Sequence, residues 1–182
     1  MKIGFDLDGV IADHSLTKIK LAASFGFKIL PEDTPSEIFE KILPKNILNE
    51  LLKNLYDNVH DESFLMTGVR EVVEKIAAKN LPFFLISRRR KPSAAIDFLA
   101  REKLWPSFFN EPNSFFVLEK AEKDIKAREL GITHYIDDEI GVLEKLKSVN
   151  NKFLFDNYNV FFEGDFYKKV SSWEEMKKQL LI

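Results

Sequence analysis

The 182-residue sequence predicts an α/β protein on a parallel sheet, with a helical segment inserted after the first strand. Three observations lead there. Short apolar runs at 2–5, 82–86, 115–117, 134–136 and 153–155 alternate with stretches of helical periodicity, as crossover connections require. Pro82-Phe83-Phe84-Leu85-Ile86 is unbroken by polar residues, the mark of a strand covered on both faces. Residues 14–64 carry helical spacing and no strand signal.

The elements follow in order. Lys2 to Phe5 is a short strand that stops at Asp6. Leu16, Ile19, Ala22, Ala23 and Phe25 recur at helical spacing, with Ser15 as N-cap and Gly26 past the C-terminus. Pro31 to Pro35 breaks the chain, Ser36 opens a second helix that Pro44 closes, and Ile47 to Tyr56 is a third. Core and insertion therefore divide as 1–13 with 65–182, and 14–64. Beyond Gly68 the expected helices cover 69–80, 92–104, 124–130, 140–149 and a last one capped by Ser171-Ser172.

Composition narrows the classes. Hydrophobic residues make up 45% and charged residues 31%, so the chain is globular rather than disordered. A 182-residue chain buries roughly 70% of its unfolded surface. The absence of cysteine excludes disulfides, thiolate metal sites and cysteine nucleophiles. A net charge of -2 disfavours a global nucleic-acid footprint. No apolar run is long enough for a bilayer span, and Asp6 interrupts any signal-peptide core, so a cytoplasmic location is expected. Nothing in the sequence points to a particular oligomeric state. Most of the 17 Phe are expected in the core.

Functional groups of a parallel sheet gather at the carboxyl ends of its strands. The first strand delivers Asp6-Leu7-Asp8-Gly9-Val10, the central one Ser87-Arg88-Arg89-Arg90-Lys91, and the strand at 134–136 Asp137-Asp138. Each alone reads as a turn, a helix cap or a solvated loop. Together they bring acids from two strands to a hydroxyl and cations from a third. Acids so gathered repel unless a cation sits among them, and oxygen-only ligands beside phosphate point to Mg²⁺. Ser87, Arg89 and a downstream Lys suit phosphate oxygens. A carboxylate can attack phosphorus, and Asp8 is spaced to serve as acid and base.

Asp6-Leu7-Asp8-Gly9-Val10, Ser87, Lys123 and Asp137-Asp138 resemble, in order, the four motifs of the haloacid dehalogenase superfamily. The resemblance implies a three-layer Rossmann-like core, with 14–64 as a small helical cap. It implies Asp6 as nucleophile and metal ligand, Asp8 as acid/base and as a ligand through its carbonyl, and Asp137 and Asp138 as metal ligands, Asp137 the more direct. Arg88 joins Ser87 and Lys123 as a phosphate-binding residue. Lys120 rivals Lys123. Asp8 is typical of phosphatase branches, which sets dehalogenation aside. Ser87-Arg88-Arg89 and the tail at 154–173 resemble the 5′(3′)-deoxyribonucleotidase-like group, whose substrates are small phosphate esters.

Asp13 and Arg89 are candidate substrate contacts, although Asp13 serves equally as a helix cap. Arg88, Arg90 and Lys91 form either a clamp for a second phosphate or a solvated loop. Phe25, Phe27, Ile29, Phe39, Tyr56, Phe64 and Met66 are available to line an apolar wall, or simply hold the cap helices together. His60 and His134 lack metal-ligand spacing. The expected activity is Mg²⁺-dependent hydrolysis of a small phosphomonoester, such as a (deoxy)nucleoside monophosphate, through an aspartyl-phosphate. The alternatives are a non-catalytic phosphate-binding or regulatory domain, or a nucleic-acid end phosphatase.

Overall fold

A computed structural model describes residues 1–57 and 63–182. His60 lies outside the described residues. Six parallel strands form one sheet: β1 (Ile3–Phe5), β4 (Phe83–Arg88), β5 (Ser114–Val117), β6 (His134–Asp137), β7 (Asn151–Phe155) and β8 (Lys168–Val170), in the order β5-β4-β1-β6-β7-β8. β1 lies at the centre, with Phe5 level with Leu85 and Ile136.

Alternation along the strands builds two cores. Phe5, Leu85, Ile136 and Phe155 face α4 (Val69–Ala78), α5 (Pro92–Arg101) and α8 (Trp173–Leu180). Ile86, Tyr135 and Leu154 face α6 (Lys120–Leu130) and α7 (Ile140–Leu143). Trp173 is fully buried against Phe5 and Phe155, and its indole donates to the Val10 carbonyl at 3.0 Å. That bond anchors the last helix to the loop that follows β1.

The insertion packs α1 (Ser15–Ser24), α2 (Ser36–Ile42) and α3 (Lys45–Asp57) around a small core of its own, including Ala22, Ile29, Phe39, Leu43 and Leu51. It leaves and rejoins the sheet through a two-stranded antiparallel ribbon, β2 (Ala12–Asp13) with β3 (Phe64–Leu65). The Glu37 carboxylate takes the Gly141 N–H at 2.8 Å and ties α2 to the sheet domain.

Five local differences from the expected elements have plain causes. β3 opens at Phe64, where no strand is expected, because it pairs only with the equally short β2. α6 begins at Lys120, since the Glu122 carboxylate takes the Leu118 and Glu119 N–H groups and caps the earlier turn. The helix expected over 140–149 stops at Leu143, and Ser148 instead donates its N–H and hydroxyl to Asp124, both at 2.7 Å. β8 is short, lysine-rich and at the sheet edge, where such residues discourage further pairing and mask the strand pattern. Ser15 does not cap α1. It is the first helical residue, and Asp13 accepts its N–H at 2.8 Å.

Candidate active site

β1 ends at Phe5, yet the Asp6 N–H still pairs with the Ile136 carbonyl at 3.0 Å, so Asp6 is held at the sheet edge. The chain then turns tightly, with Ile11 and Ala12 both donating to the Leu7 carbonyl at 2.8 Å. Gly9 makes the turn possible at φ +79, and a side chain there would meet Asp138 Oδ2 at 2.3 Å. The missing Cβ is thus what lets β6 bring Asp138 against the β1 loop.

On the floor of the site, Asp6, Asp137 and Asp138 each place a carboxylate oxygen within 4.8 Å of the others. All three are buried, Asp137 completely. One ammonium answers them. Lys123, from the first turns of α6 and 1% exposed, lies 2.9 Å from Asp6 Oδ1 and donates to Asp137 Oδ2 at 2.8 Å. Asp137 Oδ1 takes the Glu139 N–H at 3.0 Å, so both its oxygens are engaged. Among the described residues, Asp138 takes only a long contact, 3.5 Å, from the Ser36 hydroxyl. Lys120 points away and pairs with Glu139 at the rim.

Lys123 pairs with Asp6 and Asp137, and Asp138 makes no ion pair among the described residues. Burial pushes Asp6 up to about 7, against the pull of Lys123 and with Asp137 and Asp8 adding to the rise. Burial also raises Asp137, despite Lys123, and lifts Asp138 well above the carboxylate range with help from Glu139, Asp137 and Asp6. Asp6 Oδ1 is buried without a hydrogen-bond donor of proper geometry, and so is the Ser87 hydroxyl at the end of β4. An all-oxygen donor set with this charge deficit fits a hard divalent cation.

The wall opposite has the reverse balance. Burial would raise Asp8 as well, but Arg89 and His14 outweigh it and hold the carboxyl well below the usual range. Arg89 forks onto it, with Nε 3.0 Å from Oδ2 and Nη2 on Oδ1, and stacks 5.0 Å from the Tyr56 ring centroid. His14 Nε2 lies 2.6 Å from Asp8 Oδ1, while its Nδ1 faces the Ser63 hydroxyl at 2.7 Å. Burial lowers the His14 pKa, so the ring is neutral. Nε2–H then donates to Asp8 and Nδ1 accepts from Ser63, which fixes the tautomer.

Asp6, Asp8, Ser87, Lys123, Asp137 and Asp138 therefore all come to one edge of the sheet, with Arg89 turned in upon Asp8. Arg88 stays at the rim, 3.4 Å from Glu139. Asp13 caps α1 and lines a small cavity beside Asp8 and Asp138. Of the apolar residues offered for a wall, Ile29 and Phe39 are buried inside the insertion, Phe25 and Phe27 pack against them, and Met66 belongs to the main core. Phe64 is exposed, and Tyr56 alone lines the acid pocket. Sequence reasoning did not place His14, Ser63, Lys18 or Glu139 in the site. His14 could have been noticed from its position six residues past Asp8. Ser63 could not, since it meets His14 only through the ribbon that closes the insertion.

No protein-family model matches the sequence. A nucleotidase of Clostridium acetobutylicum is 27% identical over 161 residues, 87% of this chain and 81% of that protein. A haloacid dehalogenase family hydrolase of Deinococcus radiodurans, crystallised with phosphate and sodium, superposes with TM-score 0.67 at 14% identity, covering 98% of this chain and 94% of the other. A predicted phosphatase of Clostridium acetobutylicum superposes with TM-score 0.68 at 15% identity, covering 99% and 97%. The chain has the fold of the haloacid dehalogenase superfamily hydrolases, and the four motifs read from its sequence stand together at one sheet edge.

Proposed function

We propose that this protein is a metal-dependent phosphomonoester hydrolase that works through an aspartyl-phosphate. The observation that carries the reading is the buried convergence of Asp6, Asp137 and Asp138, with one lysine pairing only the first two. A purely structural cluster of this kind costs stability and gains nothing from leaving charge unmet. Asp6 and Asp138 would hold Mg²⁺ by their side chains and Asp8 by its carbonyl. Asp138 suits the role better than Asp137, whose oxygens are already taken. The bound cation would supply charge neutralisation on the phosphoryl oxygens and on the acids.

Asp6 Oδ attacks phosphorus as the ester oxygen departs, and Lys123 and the Ser87 hydroxyl hold the phosphoryl oxygens. The leaving oxygen takes a proton from Asp8. In the second half Asp8 removes a proton from water, the water oxygen attacks the aspartyl-phosphate, and phosphate leaves with Asp6 restored. The arrangement seen, with Asp8 ionised by Arg89 and His14, suits the base half. The acid half needs a proton on Asp8 and hence a weaker Arg89 contact while substrate is bound.

Nucleoside monophosphates are the first substrates to test, because a protein 27% identical over 161 residues is a nucleotidase. The test is phosphate release across nucleoside monophosphates, sugar phosphates and an aryl phosphate, with Mg²⁺. Activity that needs the metal and disappears on adding EDTA supports the reading. Turnover that survives full chelation contradicts it.

A further inference from the structure

The cations that follow β4 are only partly used by the site just described. The pocket holding Asp6, Asp8 and Lys123 encloses about 40 Å³. At about 10–15 Å³ per water-sized centre, that is room for one phosphoryl group and little more. The body of the substrate must lie elsewhere. The cavity beside Lys18 and Met66 is no larger, about 40 Å³. A cleft of about 740 Å³ shares Tyr56 and Arg88 with the acid pocket and lies within the usual range for small-molecule sites, about 300–1,000 Å³.

One wall of this cleft is α3 of the insertion, and the other is the chain from Arg88 to Lys91. Among the described residues, Lys53, Arg88, Arg89, Arg90 and Lys91 line it with one carboxylate, Glu119. Arg88 pairs with Glu139, and Arg89 is committed to Asp8. Among the described residues neither Lys53 nor Arg90 makes an ion pair. Like charges gathered around one volume create a field that an anion relieves. Leu52 and Leu118 add apolar surface between them.

We propose that the substrate carries a second phosphate on its leaving portion, and that Lys53 and Arg90 hold it in this cleft. The inference rests on the phosphatase reading and extends it from a monophosphate to a doubly phosphorylated ligand. A nucleoside bisphosphate and a 5′-phosphorylated oligonucleotide both present that chemistry.

The probes are a nucleoside 5′-monophosphate, the matching 3′,5′-bisphosphate and a 5′-phosphorylated dinucleotide. Binding is measured by calorimetry on Asp6→Asn with Mg²⁺, and turnover on the parent protein. The bisphosphate is expected to bind about tenfold or more tightly than the monophosphate. The double variant Lys53→Gln/Arg90→Gln should erase that advantage while leaving aryl phosphate hydrolysis unchanged. A dinucleotide that gains more than the bisphosphate supports the second-phosphate site with a strand end as its source. Equal binding of mono- and bisphosphate, or an advantage that survives the double variant, overturns the inference. Failure to hydrolyse any ester, the aryl phosphate included, sinks the phosphatase reading instead, and the binding comparison still decides the cleft.

Discussion

Asp6 and Asp8 stand two residues apart in one loop and are both buried, yet their surroundings drive them in opposite directions. Asp6 belongs to a floor of three close carboxylates, where it shares Lys123 with Asp137, and its carboxyl rises to about 7. Asp8 belongs to a wall where Arg89 and His14 both serve one carboxylate, and it stays ionised. Burial alone would have raised both. Local charge balance sets the difference: the floor is short of positive charge and is built to receive it, whereas the wall is already neutralised.

The sharpest way to break this contrast is Asp6→Asn. It removes the nucleophile and should lower kcat by about a thousandfold or more, read as phosphate release under saturating substrate. The same change removes a buried charge, so the metal-free variant should melt higher than the parent at pH 8. Asp8→Asn leaves the floor intact and should cost about 10²–10⁴ in kcat, with phosphoenzyme accumulating in a quenched-flow assay. Lys123→Met removes the cation paired with Asp6 and Asp137 and should destabilise the metal-free fold by about 3–5 kcal/mol in denaturant unfolding, with a smaller loss when Mg²⁺ is present.

The pH dependence sharpens the comparison from the other side. The folded state keeps a proton on Asp6 between its ordinary 3.8 and about 7, so it binds more protons than the unfolded chain across that window. Metal-free stability therefore falls as pH rises through it. Metal binding must expel that proton, so Mg²⁺ affinity should rise with pH through about 7. Calorimetry at several pH values checks both slopes. The smallest expected effect is at the wall: His14→Ala removes one of two groups that ionise Asp8 and should cost about tenfold in kcat, with a shifted pH profile.

The floor was legible in the sequence because each of its acids ends a strand, and strand ends in a parallel sheet share an edge. Asp6, Ser87 and Asp137-Asp138 follow from that rule, whereas Lys123 came only from the family resemblance, with Lys120 as its rival. The wall was far less legible. Arg89 was expected to meet phosphate or substrate and is instead turned onto Asp8. His14 and Ser63 meet because β2 pairs with β3, two ribbons too short to leave a pattern. Lys18 reads as the polar face of a helix, yet it is buried against the Thr34 carbonyl at 2.7 Å. Contacts made by strand order could be foreseen, and contacts made by the docking of the insertion could not.

The most direct measurement is aryl phosphate hydrolysis by the parent protein and Asp6→Asn, each titrated with Mg²⁺ from a chelated start. Turnover that rises with Mg²⁺ in the parent and stays absent in the variant is the expected result. Equal turnover in the two proteins, or a parent rate indifferent to the metal, would contradict a floor built around a nucleophilic Asp6 and a bound cation.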